Sequence, residues 1–205
     1  MTDNVARPPH PVLSAYYTAP PSRQGFVQSI FDRTARHYDR INAIFSLGSG
    51  RWYRGWMLRR VGLKAGDKVL DVATGTGLVA REAARIAGAQ NVIGLDMSAG
   101  MLAQCRKNLP IDLVQADAQQ LPFPNDSLDF LSMGYALRHV SDLHKTFIAF
   151  RQVLKPGGNL LILEIGRAKS PYIQAFLKFY LGRIVPLLSG IAATKDSRKL
   201  MEYYW

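Results

Sequence analysis

The 205 residues are 48% apolar and 20% charged, the proportions of an ordinary globular domain and enough for one core. No apolar run reaches membrane-spanning length and the N-terminus lacks a secretory layout, so an intracellular, cytoplasmic site of action is expected. A single cysteine, Cys105, excludes an intrachain disulfide and a cysteine metal cluster, whereas the net charge of +11 fits nucleic acid, an anionic membrane surface or simple solubility.

Residues 1–24 scatter Pro8, Pro9, Pro11, Pro20 and Pro21 among small and polar residues without any period, which reads as a flexible arm. One domain is expected over 25–205. Its first part, 25–64, is a helical cap: Val27, Ile30, Phe31 and Ala35 share one side, Tyr38, Ile41, Ile44 and Phe45 follow, and a second helix holds Trp52, Trp56 and Leu58 beyond the Ser46–Gly50 break. The core, 65–166, alternates strand and helix. Strands are predicted at Lys68–Val72, Asn91–Leu95, Leu113–Gln115, Leu128–Met133 and Asn159–Glu164, with helices at about 77–88, 98–107 and 141–154. The last of these places Leu143, Phe147, Phe150 and Leu154 on one face and stops at Lys155-Pro156-Gly157-Gly158. A C-terminal helical segment, 167–205, carries a wide apolar arc from Tyr172 to Leu188. The class is α/β: a Rossmann-like, doubly wound, mainly parallel sheet with helices on both faces and an N-terminal helical cap.

The stretch that organises this core is Lys68-Val69-Leu70-Asp71-Val72-Ala73-Thr74-Gly75-Thr76-Gly77, a short apolar strand closed by a carboxylate and turned sharply into a helix. Gly75 and Gly77 permit unusual dihedrals and close approach of a ligand, and the helix behind them offers free N–H groups. Asp96 ends the second strand, where an acid can take both hydroxyls of a ribose; that feature alone fits a nicotinamide dinucleotide equally. Asp117 ends the third strand and can accept from an adenine amino group. Singly, each acid has a plain local reading: Asp71 and Asp96 as helix caps, Asp117 as the start of an Asx-turn.

Three acids at three successive strand ends resemble class I S-adenosylmethionine-dependent methyltransferases over about 66–165. The likeness narrows at Tyr38-Asp39-Arg40-Ile41-Asn42-Ala43-Ile44-Phe45-Ser46-Leu47-Gly48, Leu121-Pro122-Phe123-Pro124, Gly134-Tyr135-Ala136-Leu137-Arg138-His139-Val140 and Val153-Leu154-Lys155-Pro156-Gly157-Gly158. These are similar to the ubiquinone/menaquinone biosynthesis C-methyltransferase family, from about Phe31 to Tyr204. The resemblance implies S-adenosyl-L-methionine as cofactor. It adds Tyr38, Ala73, Thr74, Met97, Ala118 and Gly134 to Asp71, Gly75, Gly77, Asp96 and Asp117 as cofactor-binding residues.

It implies methyl transfer to a ring carbon of a quinol or naphthol precursor, with Arg138 orienting a water or phenolate and His139 as base or as a histidine packed under the cap. Tyr38, Asn42 and Trp56 are expected over the cofactor, at the acceptor pocket, or in the core. His10, His37 and His144 support no metal site. Departures stand at Gly50, where the family has histidine, at Trp52 and Tyr53, at His139 for asparagine, and at Gly166 for serine. The family also continues past Trp205 with a helix and two antiparallel strands, so these are expected to be absent, and an open sheet edge would invite pairing as a homodimer.

The expected acceptor is a small aromatic or prenylated quinol, and the Tyr172–Leu188 arc is expected to be partly buried and to serve a substrate channel. Arg51, Arg54, Arg59, Arg60 and Lys64, with Lys195, Arg198 and Lys199, suit peripheral contact with an anionic bilayer. Nucleic acid is not expected: no RNA-binding module is appended and Gly134-Tyr135-Ala136-Leu137 stands where an Asn- or Asp-Pro-Pro-Tyr motif would be. Alternatives are methylation of another phenolic or polyketide-like molecule, and a truncated, non-catalytic partner.

Overall fold

The computed structural model describes residues 48–166 and 169–184, together with Pro9, Gly25, Gln28, Ser29, Phe31, Asp32, Ala35, Asp39, Asn42, Ala43 and Ser46. Helix α1 (Gly50–Arg60) leads into β1 (Val69–Val72), α2 (Leu78–Ala87), β2 (Val92–Asp96), α3 (Ala99–Asn108) and β3 (Asp112–Gln115). Then come β4 (Leu128–Gly134), a 3-10 turn (Leu137–His139), α4 (Leu143–Val153), β5 (Leu154–Leu163) and α5 (Pro171–Phe179), which runs into a π-helical turn (Tyr180–Ile184). The strands pair in parallel in the order β3-β2-β1-β4-β5. The order reverses between β1 and β4, where the crevice of such a sheet opens.

Alternation along the central strands feeds two cores, one on each face of the sheet. Val69 and Phe130 join Val79, Ala80, Ala83 and Cys105 in one. Leu70, Val72, Leu131 and Met133 join Phe150 and Val153 in the other. Cys105 is a packed core residue, and burial raises its thiol pKa to about 11. Among the described residues no helix is long and apolar enough to cross a membrane.

Four readings of the sequence are corrected. Helix α4 buries Thr146, Ala149, Phe150 and Val153, so Phe147 lies on the exposed shoulder of the expected face. The chain passes from α4 into β5 at Leu154 without pausing at Lys155–Gly158; a register shift between Leu128 and Phe130 absorbs the extra residues. Helix α5 buries none of its residues: Tyr172 is 86% exposed, with Ile173, Phe176 and Phe179 also open, and only beyond it is Tyr180 buried. Trp56, 42% exposed and stacked on Trp52, lies in a shallow surface groove with Arg51, Arg59 and Glu82, outside the core.

Candidate active site

A cavity of roughly 820 Å³, counting its open mouth, lies at the carboxyl ends of β1, β2 and β4, within the range of small-molecule sites. Ala73, Gly75, Asp96, Met97, Asp117, Ala118, Gly134 and His139, all anticipated from the sequence, line it. Two of its wall residues, Ala73 (φ 53°) and Tyr135 (φ 59°), are non-glycines in the left-handed region. Each stands directly after one of the strands flanking the reversal point, and conformations of this kind cluster at ligand sites. At Gly75 (φ 58°) a Cβ would meet no atom within 4 Å, so the backbone there faces open space.

Asp71 is 1% exposed and does not reach the cavity; it stands behind the wall and holds it. The sheet register sets Asp71 beside Ser132, whose Oγ donates to Oδ1 at 2.6 Å. Oδ2 accepts from Thr74 Oγ1 at 2.7 Å and from the Ala80 N–H at 3.1 Å, tying the turn to the start of α2. Thr74 and Gly77 are likewise structural. The Thr74 N–H donates to Leu95 O, and the space above Gly77 belongs to Cys105, whose Sγ would be 2.7 Å from an added Cβ.

Burial raises the Asp71 pKa to about 6 against the opposing pull of its three donors. The folded chain then binds more protons than the unfolded chain between about pH 4 and 6, so this group stabilises the fold on acidification and that gain is lost as pH rises through 6. Relative to Asp71→Asn, wild type should gain about 2 kcal/mol of unfolding free energy between about pH 7 and about pH 4.5. Denaturant melts of both proteins across that window check it; parallel curves would refute the shift.

Asp96 organises the cavity floor. Its Oδ2 accepts from the Gly75 N–H at 2.7 Å and its Oδ1 from the Ser98 N–H at 2.8 Å, so the carboxylate clamps the glycine turn against the start of α3. The cap of α3 is Ser98, which accepts from the Met101 N–H at 3.0 Å; Asp96 keeps further lone pairs for a ligand. Burial raises its pKa, opposed by those N–H donors. Asp117 does form the Asx-turn, accepting from the Gln119 N–H at 2.9 Å, and lines the cavity as well.

His139 stands at the cavity and under the N-terminal segment at once. It lines the cavity and meets the Phe31 ring edge-on at 5.2 Å. Arg138 stands outside the cavity lining: its Nη2 pairs with Glu164 Oε2 at 2.8 Å, and Glu164 Oε1 accepts from the Leu137 N–H, so the pair ties the turn after β4 to the end of β5. Tyr38 lies outside the described residues, and Asn42 accepts from Ser46 away from the cavity.

The sequence reading missed four residues of the N-terminal segment. Gln28 donates to Met97 O at 3.3 Å, Phe31 lines the cavity, Asp39 accepts from Thr76 Oγ1, and Asp32 accepts from Ser98 Oγ and from the Gly100 N–H at 2.9 Å. Gly100 permits that approach, since a Cβ there would lie 3.0 Å from Asp32 Cα. The one signal for it was a glycine in the first turn of a helix.

Fold and cavity together define a class I S-adenosylmethionine-dependent methyltransferase. The chain belongs to the ubiE/COQ5 methyltransferase family, whose profile matches residues 20–205. It is 33% identical over 179 residues to the ubiquinone/menaquinone biosynthesis C-methyltransferase UbiE of Hahella chejuensis, covering 83% of this chain and 72% of that one. It is 34% identical over 179 residues to the demethylmenaquinone methyltransferase of Symbiobacterium thermophilum, with 83% and 71% covered. Among solved structures it resembles a phosphoethanolamine N-methyltransferase of Haemonchus contortus bound to S-adenosyl-L-methionine, at 30% identity and a TM-score of 0.50, over 62% of this chain and 32% of that one.

Proposed function

We propose that this chain methylates a ring carbon of a quinol or naphthol precursor, as the names of its relatives suggest for them. The observation that carries the proposal is the position of His139 in the wall of the same cavity that Asp96 and Gly75 floor. The residues present fit the cofactor: open backbone at Gly75, a half-buried carboxylate at Asp96 with lone pairs left for ribose hydroxyls, and Asp117 and Ala118 at the next strand end for the adenine. Bound there, S-adenosylmethionine supplies an electrophilic sulfonium methyl.

The protein's share is then to align the acceptor, exclude water and manage one proton. His139 takes the proton of the acceptor hydroxyl, which raises electron density on the ring carbon; once that carbon carries the methyl group it gives up its own hydrogen as a proton to solvent, and His139 returns its proton to the oxygen, so one proton leaves per turnover. Phe31, edge-on to the imidazole, fixes the ring.

The test is methyl transfer from isotopically labelled cofactor to a prenylated hydroquinone, with the product assigned by NMR. A new carbon–methyl bond is expected, with His139→Ala slowed about 100-fold. An oxygen-methyl product, or equal turnover by His139→Ala, would overturn it; better turnover of unprenylated phenols would favour another phenolic acceptor.

A further inference from the structure

Helix α1 carries a buried cation that the mechanism above leaves unused. Arg54 is 6% exposed, its Nε makes no hydrogen bond, and among the described residues no carboxylate lies within ion-pair distance of it. Its neighbour Arg51 shows the contrast, lying mostly in solvent and reaching Glu82 at 3.2 Å. The Arg54 guanidinium carbon instead stands 5.5 Å from the centroid of the Tyr135 ring.

A buried charge without a counter-charge costs stability. The local sequence nevertheless makes room for it: at Gly50, one turn earlier, a Cβ would lie 2.7 Å from Arg54 Nη1 and 2.9 Å from Ser46 Oγ. Tyr135 is itself held in a costly conformation, φ 59°, with its N–H donating to Leu163 O at 2.7 Å, and it lines the cavity with His139. Two unfavourable features thus meet at the end of β4. The cavity's carboxylates, Asp96 and Asp117, stand at the ends of β2 and β3, on the other side of β1 in the strand order.

We propose that Arg54, acting across the Tyr135 ring, selects an acceptor that binds as an anion, an aromatic phenolate or carboxylate. This rests on the reading that the β4 side of the cavity receives the acceptor. An anion against Tyr135 supplies the counter-charge that Arg54 lacks among the described residues, and the attraction is stronger there than at the surface because the burial of Arg54 lowers the local dielectric. A quinol ionised at one hydroxyl by proton transfer to His139 satisfies it; a ring of the same shape that cannot ionise does not. Arg54 is a positioning residue, since it acts through Tyr135.

The experiment uses the full chain saturated with S-adenosylhomocysteine and compares two probes of one shape, 2-naphthoate and 2-naphthamide. Wild type should bind the naphthoate at least about tenfold more tightly, which is about 1.4 kcal/mol. Arg54→Met should erase the preference, leave the affinities for naphthamide and S-adenosylhomocysteine unchanged, and raise the melting temperature, because a buried unpaired charge is removed. Arg54→Lys should restore much of the preference. Equal affinity for the two probes in wild type, no binding of naphthoate, or a preference that survives Arg54→Met would overturn the proposal. The wild-type comparison holds whether or not the variant folds, and failure of the methyltransferase reading would show separately as absent S-adenosylhomocysteine binding.

Discussion

Asp96→Ala is expected to bind S-adenosylhomocysteine at least about 100-fold more weakly than wild type, with thermal stability unchanged or raised. Two hydrogen bonds from ribose hydroxyls to one ionised carboxylate are worth about 1.5–3 kcal/mol each, and a 100-fold loss needs only about 2.8 kcal/mol. The substitution also frees the Gly75 and Ser98 N–H groups, which loosens the turn over which the ligand lies. Stability moves the other way. Burial and the neighbouring Asp32 charge raise the Asp96 pKa, so its ionised form is a cost to the fold that alanine removes. The same shift gives a sign to the pH dependence: protonation removes an acceptor for the ribose, so cofactor affinity falls on acidification.

Gly77→Ala is expected to be the most destabilising single-methyl change in the core. The added Cβ would lie 2.7 Å from Cys105 Sγ and 3.3 Å from Leu109 Cδ2, in a backbone with φ 86°. Overpacking costs about 1–3 kcal/mol and the left-handed backbone about 1–2 kcal/mol, so a loss of about 3 kcal/mol is expected. In a domain of this size that lowers the melting temperature by about 6–12 °C. Calorimetric melting checks it, and adding Cys105→Ala should recover the contact portion, about 1 kcal/mol, but not the backbone portion. A neutral Gly77→Ala would contradict the close approach of Cys105 and Leu109 to Gly77.

The strands and the glycine turn were legible because their signals are local: apolar runs of strand length, a carboxylate at each end, a glycine where β1 turns into α2. The role of Asp71 was not. It follows from a sheet register that sets residue 71 beside Ser132, and register emerges only when strands pair. The pairing of Arg138 was not legible for the same reason, since its partner Glu164 stands 26 positions away at the end of another strand. The N-terminal contacts of Gln28, Asp32 and Asp39 join residues 37 to 69 positions apart, and nothing in their own neighbourhood marks them. The apolar arc from Tyr172 suggested partial burial, and along α5 itself none is found, because hydrophobicity alone does not say what covers a helix.

The central claim is that the cavity at the ends of β1, β2 and β4 holds the cofactor through Asp96. The most direct measurement is a calorimetric titration of the 205-residue chain with S-adenosylhomocysteine, run beside Asp96→Ala. One site per chain in wild type, lost in a folded variant, is the result predicted. A folded wild type that binds nothing, or an Asp96→Ala that binds as well as wild type, would contradict it.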